Sequence, residues 1–228
     1  MNLSEIRDSV NFNIKAIHPS AYFLDAIIDK QVNRLIREIA SQFCLRALLN
    51  TRTIDLSTET LGGDEERYEA KGKMPRDYDH DMIIVHNATT GLKIERIYQT
   101  VTGLDRDNSV NEIDSVDSVA TDGTYLYGRP CPEIGSDEEI SITYYRVPDD
   151  LENDDDEPHC LPVALHEGLL VDGATARLLQ RVREEAELKY NNMQYHLDEH
   201  SNALSKLAVI AAEAPKTIYY FPRTVQYF

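Results

Sequence analysis

Two quoted stretches decide the fold, ISITYYRVP (140–148) and LPVALHEGLLVDGATARLL (161–179). The first alternates like a strand, whereas the second has the apolar content of a packed helix. A third segment, from Glu184 to about Glu213, has apolar residues mostly at spacings of four and three, with one gap at His200. Such a stripe is typical of a helix lying on a partner helix. Its members are Ala186, Tyr190, Met193, Leu197, Leu204, Leu207 and Ala211.

A second helical stripe lies near the N-terminus and predicts a helix over about Ala21 to Leu49. Arg34, Arg37 and Glu38 fall on its polar side. The preceding residues, Met1–Pro19, form a lead-in that is helical in part, so we assign residues 1–50 to the lead-in and this first helix. The apolar positions of the stripe are Leu24, Ile27, Ile28, Val32, Leu35, Ile36, Ile39 and Phe43.

The middle of the chain, residues 51–148, is predicted to be rich in β-structure. Its β-type clusters are Met82–Val85, Leu92–Tyr98 and Ile140–Tyr145. Asn87–Gly91 is typical of a hairpin loop between the first two clusters. The polar stretches 62–79 and 105–122 are expected to be long loops. These features predict a small antiparallel sheet inserted between the first helix and the C-terminal helices.

An acidic loop over residues 149–160 separates the sheet from a helical pair at 161–214. Seven of the nine residues from Asp149 to Glu157 are acidic, which is typical of a solvated, mobile segment. We therefore expect an α+β protein that is mainly helical. The long N-terminal helix and the C-terminal pair would form an antiparallel bundle, carrying the inserted small sheet and an extended C-terminal tail.

The last segment, residues 215–228, differs in composition from the rest of the chain. It contains Lys216 and Arg223 and no acidic residue. Five aromatic side chains are costly to leave in water, so the tail either folds back on its own domain or docks on another subunit. The residues predicted to dock are Ile218, Tyr219, Tyr220, Phe221, Arg223, Tyr227 and Phe228.

The composition restricts the class of function. A net charge of -17 argues against a protein that grips nucleic acid by neutralising phosphates. Cys44, Cys131 and Cys160 form no paired metal or disulfide motif. Residues 1–7 lack the features of a signal peptide, and no apolar run approaches the ~20 residues that cross a bilayer. We expect synthesis and folding in a reducing cytoplasm, away from membranes.

One pattern could carry chemistry. His196, Glu199 and His200 fit the H-x-x-E-H arrangement of zinc peptidases, in which two helical histidines bind the metal and the glutamate acts as base. A third protein ligand is required, and Glu213 is the only acidic residue downstream of His200. Packing of a helical histidine is the ordinary alternative. We expect no active site, metal or cofactor.

Three matches, the last of them in two parts, resemble motifs of the head-to-tail adaptor (connector or head-completion) proteins of tailed bacteriophages. IREIASQFC (36–44) resembles the end of that family's first helix, and YYRVP (144–148) resembles its strand before the helical pair. GATARLL (173–179) and EAELKY (185–190) resemble the helices of the pair itself. The resemblance extends over about residues 20–210.

The resemblance implies a virion protein at the head–tail junction, assembled in the host cytoplasm and without catalytic residues. Its partners would be the portal protein, further copies of itself in a ring expected to be a dodecamer, and a downstream tail protein (tail tube, nozzle or fibre). Packaged DNA would pass through the channel without sequence-specific binding. The C-terminal tail would reach into the portal.

Two alternatives belong to other classes of protein. An acidic binding or inhibitor module that mimics DNA would be a stable monomer or dimer. Its carboxylates would be spread over one face, and its C-terminal tail would pack on its own protomer. A zinc-dependent peptidase would use His196, Glu199 and His200, and would bind metal stoichiometrically.

Overall fold

The structure is a computed structural model that describes residues 1–17, 23–61, 67–108, 110–136, 138–181 and 186–219, apart from the side chains of residues 186–191. The chain forms two compact units. The helical unit consists of Met1–Leu48 and Val147–Ala214, and the β unit consists of Leu49–Arg146 together with the C-terminal segment Pro215–Phe228. Both units are therefore assembled from segments that are distant in sequence.

The secondary structure elements follow in chain order. The α-helices are α1 (Leu3–Ile17), α2 (Asp25–Gln42), α3 (Val101–Asp107), α4 (Gly173–Leu179) and α5 (Ala186–Ala211). A π-helical turn, Glu167–Asp172, leads directly into α4. The strands are β1 (Leu49–Leu61), β2 (Arg67–Lys73), β3 (Tyr78–Asn87), β4 (Arg96–Tyr98), β5 (Ser118–Thr121), β6 (Tyr125–Arg129) and β7 (Glu138–Arg146).

The predicted fold class, a mainly helical bundle with a small inserted sheet, is wrong. Helix accounts for 41% of the structure and strand for 27%, and the strands form one curled, seven-stranded sheet. The sequence prediction failed because the longest strand, β1, buries only Ile54 and Leu56 along its length. Likewise, β2 and β5 lie within polar stretches that lack the apolar alternation of a half-buried strand.

Strand β1 holds the sheet together because it pairs with different neighbours along its length. Residues Leu49–Leu56 pair with β7, and residues Ser57–Leu61 pair with β2. The strand order is β3-β7-β1-β2-β6-β5-β4, and among these pairs only β4 and β5 run parallel. Buried side chains from the strands and from the segments between them form the core. They are Ile54, Leu56, Met74, Met82, Val85, Ile94, Ile97, Val116, Val119, Leu126, Ile140, Ile142 and Tyr144.

Two glycines, one in β2 and one in β6, allow these strands to pack closely against side chains of β1. A Cβ atom at Gly72 would lie 2.4 Å from the Ile54 Cγ2, and one at Gly128 would lie 2.6 Å from the Leu56 Cδ1. These distances are too short for any larger residue without movement of β1. The curl of the sheet therefore depends on glycine, with no side chain, at the two positions that contact Ile54 and Leu56.

The turn predicted at Asn87–Gly91 is present, although the strand expected after it is much shorter than predicted. The Gly91 amide donates to the Asn87 carbonyl at 2.8 Å, and Gly91 has a φ of 74°. The strand predicted over Leu92–Tyr98 is reduced to β4, which pairs with β5. The first helix was also predicted too long: α2 ends at Gln42, next to Phe43, the last apolar residue of its stripe, and Leu49 begins β1.

The helical unit is built around the buried faces of α1, α2 and α4. From α1 and α2 come Leu3, Ile6, Val10, Ile14, Ile28, Val32, Leu35, Ile36 and Ile39. The π-helical turn and α4 supply Leu169, Leu170, Val171, Ala174, Ala176, Leu178 and Leu179. Among the side chains of α5 that the structure describes, from residue 192 onward, the buried ones are His196, Ala203, Leu207 and Ala211. The seam therefore includes a histidine where Leu197 was predicted, and Leu197 is half-buried.

Candidate interaction surfaces

The start of the C-terminal segment packs on the β unit of its own chain. The Tyr145 hydroxyl donates to the Pro215 carbonyl at 2.8 Å, and the Thr217 hydroxyl donates to the Met82 carbonyl at 2.9 Å. Tyr219 is half-buried against the core of the sheet, where burial raises the pKa of its hydroxyl. Ile218 points away from this contact and is 85% exposed.

Of the residues predicted to dock on a partner, the structure therefore places two. Tyr219 contacts its own sheet, whereas Ile218 is accessible. The remaining five, Tyr220, Phe221, Arg223, Tyr227 and Phe228, lie outside the described residues. The structure does place Thr217, which precedes them in the chain, next to Met82 of β3.

Strand β3 forms one edge of the sheet and is irregular. Its pairing with β7 shifts register between Tyr78 and His80, between His80 and Met82, and between Met82 and Ile84. Asp81 has a φ of 52°, in the left-handed region. Bulges and charged side chains on an edge strand disfavour uncontrolled pairing with other chains. The contact from Thr217 covers one carbonyl of this strand.

The acidic stretch 149–157, expected to be a solvated, mobile loop, is held on the helical unit. The Asn33 side chain donates to the Leu151 carbonyl at 3.0 Å and accepts from the Leu151 amide at 2.9 Å. Arg37 Nε donates to Asp150 at 2.9 Å, and Arg7 binds Asp154. The stretch is thus neutralised in part by arginines of α1 and α2.

The same stretch also provides hydrogen-bond acceptors for the first turn of α1. The amide of Leu3 donates to the Asp156 carbonyl at 2.9 Å, and the amide of Ser4 donates to the Asp154 carbonyl at 3.1 Å. Helix N-termini leave such amides without partners inside the helix. The acidic stretch therefore completes the start of α1 and has a structural role within the unit.

The two histidines of the possible zinc motif contact the π-helical turn. His196 is buried, with its Nδ1 2.7 Å from the Asp172 Oδ1. His200 is half-buried, with its Nδ1 3.2 Å from the Gly168 carbonyl oxygen. Glu199 lies between them on the exposed side of α5. In this arrangement both rings connect α5 to the turn.

Helix α5 approaches the turn closely because two glycines lie beneath it. A Cβ atom at Gly168 would lie 2.7 Å from the Ala203 Cβ. A Cβ atom at Gly173 would lie 2.8 Å from the His200 Nδ1 and 3.1 Å from the Leu35 Cδ1. Gly168 and Gly173 thus serve packing inside the protomer.

A cationic pocket, formed by Gln31, Arg34, Arg177, Gln180 and Arg181, opens between α2 and the end of α4. Its volume is about 200 Å³. Glu38 accepts hydrogen bonds at its rim, from Arg177 and, at 2.7 Å, from Arg34. The bond from Arg177, and then that from Arg34, holds the pKa of Glu38 below its ordinary value despite partial burial. Sequence reasoning missed this pocket because its arginines come from distant segments.

An apolar groove of about 320 Å³ lies beside the C-terminal end of α5. Its lining includes Cys44 and Cys160, both half-buried, together with Leu207 and Ile210. Ile210 is 52% exposed and the neighbouring Val209 is 72% exposed, which leaves apolar surface along this end of the helix.

Comparison with known families gives one match. The profile of a family described as SU10 adaptor protein matches residues 1–221. No curated protein matches the chain. Among the described residues, no helix has the length and apolar character needed to cross a membrane. The profile extends through both units and into the C-terminal segment.

Proposed function

The chain belongs to the SU10 adaptor protein family, and from this premise we propose that it is a structural head-to-tail adaptor of the virion. The family match agrees with the resemblance to phage adaptors that the sequence motifs indicated. In the proposed role, copies of the chain form a ring beneath the portal. The ring extends the DNA channel and provides the attachment platform for tail components, with no catalytic step.

The match over residues 1–221 carries this proposal. The geometry supports it in two ways. The helical unit is closely packed, with α5 in contact with the π-helical turn at Gly168, as suits a rigid element in an assembly. The exposed apolar side chains of Val209, Ile210 and Ile218 are available for contacts outside the protomer.

The C-terminal segment is the proposed portal-binding element. Its base is anchored through Thr217 and Tyr219, so the residues that follow start from a defined position on the β unit. Large aromatic side chains supply most of the binding energy in many interfaces. We assign portal contact to exposed Ile218 and to Tyr220, Phe221, Arg223, Tyr227 and Phe228.

The acidic composition suits a channel that does not retain DNA, because carboxylates repel phosphates. The alternative of a DNA-mimicking inhibitor receives less support from the same charges. A mimic must present unpaired carboxylates, whereas Asp150 and Asp154 are paired with Arg37 and Arg7 of the same chain. The pairing of these two aspartates therefore favours the adaptor.

Deletion of Tyr220–Phe228 tests the assignment of the tail. The truncated chain keeps Thr217 and Tyr219, so its melting temperature should match that of the full chain while binding to purified portal particles is lost. A full-length variant with Phe221→Ser, Tyr227→Ser and Phe228→Ser should behave in the same way. Thr224→Ala with Gln226→Ala is the matched control and should bind normally. Unchanged binding by the truncated chain would contradict the proposed docking.

A further inference from the structure

The cationic pocket is unusual for a chain with a net charge of -17. Three guanidinium groups, those of Arg34, Arg177 and Arg181, line a space of about 200 Å³. Glu38 is paired with the first two. Within the part of the chain that the structure describes, which leaves out residues 182–185, no carboxylate pairs with Arg181, so the described groups of the pocket carry an excess of positive charge.

A buried amide adds a second, independent feature. Gln31 lines the same pocket and is only 3% exposed. An amide side chain at this position can donate to the same ligand as the arginines. A ligand that accepts hydrogen bonds would therefore meet the N–H groups of Gln31 as well as those of the guanidinium groups.

The chemistry of the pocket selects an anion with two acceptor oxygens. Guanidinium groups bind carboxylates and phosphates through paired N–H donors. Arg34 reaches Glu38 through Nε, and Arg177 reaches it through Nη2, so each retains further donors for a ligand. The amide side chain of Gln31 can donate to the same oxygens, and Gln180 also lines the pocket.

The surroundings favour a carboxylate over a nucleic-acid phosphate. Proteins that bind duplex DNA spread Lys and Arg over a face, so that many phosphates are contacted at once. This pocket is small, and carboxylates such as Glu38 and Asp150 flank the arginines of α2. A single acidic side chain fits the volume, whereas a long polyanion would be repelled by the remaining charge.

We infer that the pocket receives an acidic side chain from a second copy of this chain and forms part of the lateral contact of the ring. The inference rests on the proposed function, because a ring needs two different patches that meet head to tail. The exposed carboxylates that could enter are numerous in every copy, whereas the pocket supplies a place where their charge is compensated.

Charge reversal at Arg181 tests the inference on rings assembled on portal particles. Arg181→Glu should raise the protein concentration needed for half-complete rings by about tenfold or more, because like charges then face each other. Arg76→Glu is the control: it changes the net charge equally at an exposed position of the β unit. Arg181→Gln should give a smaller effect in the same direction, and thermal melts should show that all three variants are folded.

Cross-linking identifies the occupant of the pocket. With Arg181→Lys, a carbodiimide couples the introduced amine to a carboxylate in direct contact, and mass spectrometry assigns the residue. The inference predicts a link to an Asp or Glu of another copy. Coupling only to Glu38 of the same chain would overturn it.

The remaining outcomes separate the two proposals. Rings formed by Arg181→Glu at the wild-type concentration would overturn the inference and leave the adaptor function standing. If Arg181→Glu forms intact rings but the particles no longer retain their DNA, the inference would be overturned in favour of a phosphate site. Failure of the wild-type chain to form any ring on portal particles would remove the proposed function and the inference together.

Discussion

Asn33 of α2 and Leu151 of the acidic stretch exchange two hydrogen bonds, in which one amide side chain satisfies both polar groups of one backbone residue. The distances are 3.0 Å from the Asn33 Nδ2 to the Leu151 carbonyl and 2.9 Å from the Leu151 amide to the Asn33 Oδ1. Both residues are buried. This buried pair connects α2 to a stretch whose composition suggested a mobile loop.

Asn33→Ala should destabilise the protein by about 2–4 kcal/mol, because it leaves two buried backbone groups without partners. Chemical denaturation monitored by circular dichroism would measure the change in the free energy of unfolding. Arg37→Ala serves as the comparison. Its ion pair with Asp150 is exposed on both sides, so its loss should cost less than about 1 kcal/mol. Equal effects from the two variants would show that the charges hold the stretch.

Gly168→Ala should cost about 1–3 kcal/mol, because the added methyl group would overlap the Cβ atom of Ala203 on α5. Ala203→Gly alone should cost about 1 kcal/mol as a helix-interior glycine. The double variant should be more stable than the sum of the two losses predicts, since the second change removes the overlapping atom. Simple additivity, measured by the same unfolding experiment, would contradict the close contact.

Gly128→Ala should destabilise the β unit by about 3 kcal/mol, because its methyl group would meet both Leu56 and Val116. Differential scanning calorimetry would detect the loss as a lower melting temperature. Ser57→Ala, at an exposed position of β1, is expected to change the stability by less than about 0.5 kcal/mol. A neutral effect of Gly128→Ala would argue against the tight curl of the sheet.

Glu38 should make the helical unit sensitive to acid. Its hydrogen bonds from Arg177 and Arg34 lower its pKa in the folded state below the ordinary value of 4.5. The folded state then binds fewer protons than the unfolded state, so this contribution is present above the ordinary pKa and is lost as the pH falls through the lowered one. Because the pair is partly exposed, the contribution should stay below about 1 kcal/mol.

Melting temperatures recorded between pH 3 and pH 7 would measure this contribution. Relative to the wild-type chain, Glu38→Gln should be less stable near neutral pH, and the difference should shrink as the solution is acidified. A constant difference across the range would mean that ionisation of Glu38 does not stabilise the fold.

The sequence predicted those parts of the structure that local patterns encode. The apolar stripe of α2 and the turn at Gly91 are found near their expected positions. It did not predict β1, because strands that expose most of their side chains have no apolar alternation to detect. The π-helical turn at Glu167–Asp172 was not predicted either, since its residues fit an ordinary α-helix equally well.

Features that depend on tertiary contact were missed for a different reason. The acidic stretch appeared solvated because its partners, Asn33 and Arg37, are far away in the sequence. The cationic pocket combines Arg34 with Arg181, and neither residue is distinctive by itself. The aromatic tail was recognised from composition alone, and the structure adds that Tyr219 belongs to the fold of its own β unit.

Electron microscopy of the wild-type protein mixed with portal particles tests the central claim most directly. The adaptor proposal predicts an added ring of density beneath the portal, with the side chains of Tyr220–Phe228 buried against portal polypeptide. Portal particles without added density, or a ring in which those side chains pack on their parent protomer, would contradict it.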